Sequence, residues 1–149
     1  MILKIKKFSD KIGQDIKFPS YATDGAAGID LSACIDDPMT ISPGARKLIP
    51  TGVGMEIPHG YAGFVFVRSS LGFKYGVTLP NAVGVIDSDY RGEIFVAITN
   101  ISSKKHTVLP GERIAQIVIM PAVQAQIAES DELQDSLRGH CGFGSTGRF

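Results

Sequence analysis

The feature that most constrains this chain is its punctuation. Short apolar, β-branched runs are broken by turns at roughly the 8–12-residue spacing of β-sandwiches and barrels. Ser42-Pro-Gly44, Pro58-His-Gly60 and Pro110-Gly111 are such turns, because Pro presets one turn dihedral and Gly accepts the left-handed one. Candidate strands fall at Ile2–Lys6, Gly28–Ala33, Met39–Ile41, Arg46–Pro50, Val53–Ile57 and Ala62–Val67. Others fall at Val77–Leu79, Val83–Ile86, Ile94–Thr99, His106–Leu109, Arg113–Met120 and Val123–Ile127. No alternation of strands with long helices is present, which disfavours a parallel α/β sheet. One short helix is predicted from Ser69 to about Tyr75, with Ser69 as its cap and Gly76 as its stop. Ser130–Leu137 reads as a second helical turn or an acidic linker.

A length of 149 residues predicts one domain with its own core. The β core runs to about residue 129, and 130–149 form a linker and a C-terminal arm. Fifteen basic and fifteen acidic residues cancel, so no electrostatic footprint for a nucleic-acid backbone is visible. Cys34 and Cys141 lie far apart without a zinc-ligand spacing. The opening residues alternate like a strand instead of forming a signal peptide, and no apolar run approaches membrane-spanning length. The expected setting is cytoplasmic, with neither membrane nor nucleic acid as partner.

Asn81 to Asn100 reads as a strand, a tight polar turn and a second strand. The expected hairpin would display Asp87, Asp89, Tyr90 and Arg91. An ordinary loop with solvated charges accounts for the same residues. Arg68-Ser69-Ser70 opens the predicted helix, where N–H groups, hydroxyls and a guanidinium could grip an anion, or Ser69 could simply cap it. Gln116 sits in an apolar strand and, on strict alternation, shares a face with Ile114 and Val118. Asp30 is a carboxylate among apolar neighbours, a turn former or a site acid. His59, His106 and His140 share no spacing that suggests a triad or metal site and read as surface or turn residues. The tail from Arg138 to Gly147 holds four glycines in ten residues and predicts a flexible arm. Its Gly142-x-Gly144-x-x-Gly147 matches the dinucleotide fingerprint only literally, since no strand precedes it and no helix follows. Backbone N–H groups, two hydroxyls, Arg138 and Arg148 still suit phosphate oxygens.

Five segments in this order resemble the trimeric dUTP diphosphatases (dUTPases). They are Ala27-Gly-Ile-Asp-Leu-Ser-Ala33, Arg68-Ser-Ser-Leu-Gly72, Gly84-Val-Ile-Asp-Ser-Asp-Tyr-Arg-Gly92, Gly111-Glu-Arg-Ile-Ala-Gln116 and Arg138 through Gly147. Cys141 departs from the family's usual glycine. The resemblance implies a jelly-roll-like β-barrel or sandwich forming a homotrimer, with active sites shared between subunits. It implies Mg²⁺-dependent hydrolysis of dUTP to dUMP and pyrophosphate, which limits uracil in DNA and supplies dUMP for dTMP synthesis. By resemblance, Asp87 activates the attacking water and Tyr90 packs under the deoxyribose. Asn81 and the backbone of Val85, Ile86 and Asp87 read uracil, with Phe95 lining the pocket. Arg68, Ser69 and Ser70 bind phosphates, while Asp30 and Gln116 meet the metal through its waters. Phe143 stacks on the base, and Arg138, Gly144, Ser145 and Thr146 close over the nucleotide.

Two rivals make different demands. The related dCTP deaminases carry a catalytic glutamate on the outgoing strand, where this chain has Ala97, and they lack the Asp-Ser-Asp-Tyr turn. A non-catalytic jelly-roll module is expected to have lost Asp87 or the arm's phosphate groups, and both are present.

Overall fold

The computed structural model describes residues 1–142. Eleven strands and one helix follow in order among them: β1 (Lys4–Lys7), β2 (Ile29–Ser32), β3 (Met39–Ile41), β4 (Arg46–Pro50), β5 (Val53–Glu56) and β6 (Tyr61–Val67). Then come α1 (Ser69–Tyr75), β7 (Val77–Thr78), β8 (Gly84–Ile86), β9 (Phe95–Asn100), β10 (His106–Val108) and β11 (Arg113–Pro121). Every strand pair is antiparallel.

The pairing is nested. β2 pairs with β11, β3 with β10 and β4 with β9, so the two halves of the chain run beside each other as one ribbon rolled up. That is how a jelly roll hides most of its sheet edges. The larger sheets have the orders β2-β11-β6-β8 and β4-β9-β7. Alternation then sorts the side chains. On β9, Val96, Ile98 and Asn100 are buried while Phe95, Ala97 and Thr99 face outward. Leu31, Ile49, Ile98, Ile114 and Ile117 lie at the centre of one continuous core with no solvent exposure. Two polar residues are buried with it. Asn100 donates to the carbonyls of Ile41 and Lys104 and accepts from Ser102, which ties the end of β3 and the loop before β10 to the end of β9. Thr51 donates to the Ile94 carbonyl at 2.6 Å.

Three expectations need correction, and one open alternative closes. The predicted strand Val123–Ile127 is absent, and both residues are almost fully exposed. The segment has strand-like residues but no strand beside it, and a strand needs a partner for its backbone groups. Of the two readings of Ser130–Leu137, the helical turn does not form among the described residues and the acidic linker stands. Helix α1 has the predicted bounds and ends at left-handed Gly76, but its N-cap is Arg68 and no side chain caps it. The extended backbone of Arg68 carries β6 directly into the helix, so Ser69 is already inside the first turn. Finally, His106 is no turn residue: it lies in β10, within the predicted run His106–Leu109, half-buried with its ring 5.1 Å from that of Tyr75.

Candidate active site

The segment Asn81–Asn100 is not a hairpin. β8 pairs with β6 and β9 pairs with β4 and β7, so the turn between them is a corner that passes from one sheet to the other. The cause lies at Ile94. Its N–H donates to the Val53 carbonyl, and its own carbonyl receives both the N–H and the hydroxyl of Thr51. These bonds draw the outgoing chain to the opposite sheet before it can pair with β8.

A recess of ≈ 220 Å³ opens between the two sheets at this corner. Val85, Ile86 and Asp87 line it from one side, Glu93 and Phe95 from the other, with Tyr90 at the rim. That is below the range of about 300–1,000 Å³ usual for sites that enclose a whole ligand. It suits part of a nucleotide, with the remainder outside. β8 is the edge strand of its sheet, so one edge of its backbone has no strand partner among the described residues. Polar groups on such an edge are free to pair with a ligand. Asn81 stands ahead of β8 and does not line the recess.

The corner is tightly tied. The Tyr90 N–H donates to the Asp87 carbonyl, and the Tyr90 hydroxyl donates to the Glu93 carbonyl at 2.8 Å. Arg91 donates to the carbonyls of Ser88 and Tyr90, which gives it a role in holding the turn closed. The Glu93 carboxylate accepts from the Gly52 N–H at 2.7 Å. Gly92 has no room for a side chain, since a Cβ there would lie 2.4 Å from the Tyr90 hydroxyl. Asp87 is exposed beside this frame and, with Asp89, also lines a neighbouring wider groove of ≈ 820 Å³.

The predicted phosphate and metal residues gather elsewhere. Asp30 on β2, Gln116 on β11 and Phe66 on β6 stand abreast across three strands. Asp30 is a strand residue, and its carboxylate pairs with Arg68 Nε at 3.4 Å and Arg113 Nη1 at 2.8 Å. The Gln116 side chain lies over Gly28, where a Cβ would come within 2.5 Å of its Oε1. Ser69 is exposed and Ser70 half-buried at the start of α1.

Gln116 does not share a face with Ile114, contrary to strict alternation. A bulge between Arg113 and Ala115 sets both Ile114 and Ala115 against Leu31, so both point into the core with no exposure. Arg113 and Gln116 are thereby brought to the same outer face. Sequence reasoning missed Arg113, although it lies inside the quoted segment Gly111–Gln116. The signal available was two adjacent apolar residues between two polar ones, which breaks the strand period.

Within one chain these groups do not meet. Gly63 pairs with Ile86, which puts Asp87 level with Ala62, while Arg68 follows the far end of the same strand. Six residues of strand separate the two levels, ~20 Å at the usual rise. Arg138 is exposed beyond the last strand, and Phe143, Gly144, Ser145 and Thr146 lie outside the described residues. The described residues include no group of three His, Cys, Asp or Glu placed to hold a metal ion. No helix among them is long and apolar enough to cross a membrane.

Comparison with known proteins gives one answer. The dUTPase family profile matches residues 14–147. The deoxyuridine 5'-triphosphate nucleotidohydrolase of Idiomarina loihiensis is 50% identical over 147 residues, 98% of this chain and 97% of that protein. The enzyme of the same name from Desulfitobacterium hafniense is 53% identical over 132 residues, covering 88% and 87% of the two chains. Among solved structures, the Staphylococcus bacteriophage 80alpha dUTPase with dUPNHPP superposes with a TM-score of 0.82 at 26% identity, covering 98% of each chain. Motifs, rolled ribbon and full-length similarity therefore agree: the chain belongs to the dUTPase family.

Proposed function

We propose that this chain hydrolyses dUTP to dUMP and pyrophosphate at sites shared between the subunits of a homotrimer. The observation that carries the shared site is the ~20 Å between Asp87 and Arg68 along β6. A triphosphate held by Arg68 of one copy can meet the Asp87 of another, but a single copy does not bring the two together. Between them, Phe64, Phe66, Val118 and Met120 form a half-exposed apolar band on the outer sheet face, a surface suited to another copy.

The reaction requires a water aligned with the bond it breaks. The Asp87 carboxylate orients that water and accepts its proton as oxygen attacks the α-phosphorus, and pyrophosphate departs on the opposite side. The exposed backbone edge of β8 and Asn81 pair with the uracil edge. Cytosine presents swapped donors and acceptors, and the mismatch would leave buried groups unpaired. Tyr90, held by the Glu93 carbonyl, packs under the sugar where a 2′-hydroxyl would collide. Phe95 closes the recess. Arg68, Ser69 and Ser70 take phosphate oxygens.

One carboxylate and one amide, Asp30 and Gln116, fit an ion carried in by the triphosphate and touched through its waters, not a protein-built cage. Mg²⁺ bound in that way neutralises the phosphate chain. The arm, with Arg138, Phe143, Gly144, Ser145 and Thr146, closes the site and excludes bulk water.

Deamination of dCTP is the competing chemistry. Ala97, on the same outward face of β9 as Phe95, offers no proton carrier for it. The deciding assay offers dUTP, dCTP, dTTP and UTP with Mg²⁺ and measures pyrophosphate and ammonia separately. Pyrophosphate from dUTP alone is expected, and ammonia from dCTP would overturn the assignment.

A further inference from the structure

Asp30 holds Arg68 in an unusual way. A free carboxylate and a guanidinium favour a fork in which two parallel N–H groups meet two oxygens. Here one oxygen lies 3.4 Å from Arg68 Nε, and the other accepts a hydrogen bond from Arg113 Nη1 at 2.8 Å. Arg113 holds the second oxygen, and among the described residues no terminal nitrogen of Arg68 donates to Asp30. Among the described residues both terminal nitrogens stay available to a ligand, in the planar geometry that matches phosphate oxygens. The triad has two positive charges and one negative, so it retains net attraction for an anion. The Asp30 side chain is only 20% exposed, which limits the solvent that could loosen the arrangement.

Arg113 reaches this face only because of the bulge at Ile114–Ala115. On a regular strand, residues three apart point to opposite faces. The extra residue restores Arg113 to the face of Gln116 and Asp30, with both intervening side chains buried in the core. Bulges commonly re-aim a side chain beside a site.

We propose that Arg113 is a positioning residue for the triphosphate grip, acting through Asp30 to hold Arg68 with its terminal nitrogens presented to the phosphates. The inference rests on the reading of Arg68 as a phosphate contact. Arg113 need not touch the nucleotide, and its contribution disappears when Arg68 is absent.

The test is a double-mutant cycle on the full-length protein with Mg²⁺. It uses calorimetric affinity for dUPNHPP, a non-hydrolysable analogue, with dUMP affinity and thermal melting measured in parallel. Arg68→Ala is expected to weaken dUPNHPP binding; unchanged binding would overturn the phosphate-contact reading itself. Arg113→Ala is expected to weaken it about tenfold, the scale of one charge-assisted bond, while dUMP affinity and melting temperature hold. In the Arg68→Ala background, Arg113→Ala is expected to change nothing further. Arg113→Lys, which can still occupy one Asp30 oxygen, is expected to recover most of the loss. Full multiplicative loss in the double variant would show that Arg113 acts independently of Arg68. An equal loss of dUMP affinity, or a loss that Lys cannot recover, would reduce Arg113 to a structural residue. Either result overturns the proposal.

Discussion

At the corner between the sheets, recognition groups are held by backbone. Tyr90 is fixed by a carbonyl, Arg91 by two carbonyls and Glu93 by an amide, and Gly92 leaves no room for slack. At the opposite end of β6 the order is reversed. Asp30, Arg68 and Arg113 are held mostly by one another, through charge, on the outer face of a bulged strand, its neighbour and the strand-to-helix junction. The difference matches the two tasks proposed for these regions. Telling uracil from cytosine and deoxyribose from ribose needs a wall that does not yield. Gripping a flexible triphosphate needs concentrated positive charge whose geometry can adjust. In the proposed reading a corner between two sheets supplies the first, and side chains at a strand end supply the second.

The largest expected effects come from disabling either half. Asp87→Asn is expected to lower turnover by about 10²–10⁴-fold while dUPNHPP still binds, because the amide can hold a water but cannot take its proton. Near-normal turnover would remove Asp87 from its assigned role. Mixing then tests whether the halves belong to different copies. Asp87→Asn and Arg68→Ala proteins, each weakly active alone, are unfolded together and refolded at equal amounts. Random trimers pair an intact corner with an intact arginine end in about one site in four, so about a quarter of normal activity returns. If the mixture stays as inactive as its components, the two halves serve the same chain and the shared-site proposal fails.

A smaller effect is expected from loosening the wall while leaving the catalytic group. Gly92→Ala puts a methyl 2.4 Å from the Tyr90 hydroxyl and 2.7 Å from its ring carbon, so the ring must swing off the Glu93 carbonyl. The expected result is hydrolysis of UTP with most dUTP turnover retained, the same phenotype as Tyr90→Ala reached by a different route. Continued rejection of UTP by both variants would move sugar selection away from Tyr90.

The two regions also differed in how much the sequence revealed. The order of strands, the bounds of α1 and its Gly76 stop followed from local patterns, because turn residues and apolar periods are local signals. The partner of each strand is not local. Two strand-like runs around Asp87–Gly92 look like a hairpin until Thr51 and Val53, distant in sequence, capture Ile94. For the same reason Val123–Ile127 looked like a strand although nothing pairs with it. At the arginine end, one bulge inverted the alternation and hid the alignment of Arg113 with Gln116. Asp30, Arg68 and Gln116 were visible as candidates through the resemblance to a family. Their assembly into a charged triad, with a third member, required the register.

The smallest effect is expected at Arg91, where the corner's rigidity is tested without touching a recess-lining group. Its guanidinium donates to the Ser88 carbonyl at 2.6 Å and the Tyr90 carbonyl at 2.9 Å. Both bonds are exposed, so water can replace them at little cost. Tyr90 also keeps its own bonds to Asp87 and Glu93. Arg91→Ala should therefore melt close to the parent and lose no more than about threefold in kcat/KM, the scale of a weak exposed hydrogen bond. The loss should fall on kcat more than on KM, because a looser turn misplaces Asp87 relative to the water while the uracil edge along β8 is unaffected. A loss as large as that of Asp87→Asn would mean that Arg91 meets the nucleotide directly, and the corner would then read phosphate as well as base.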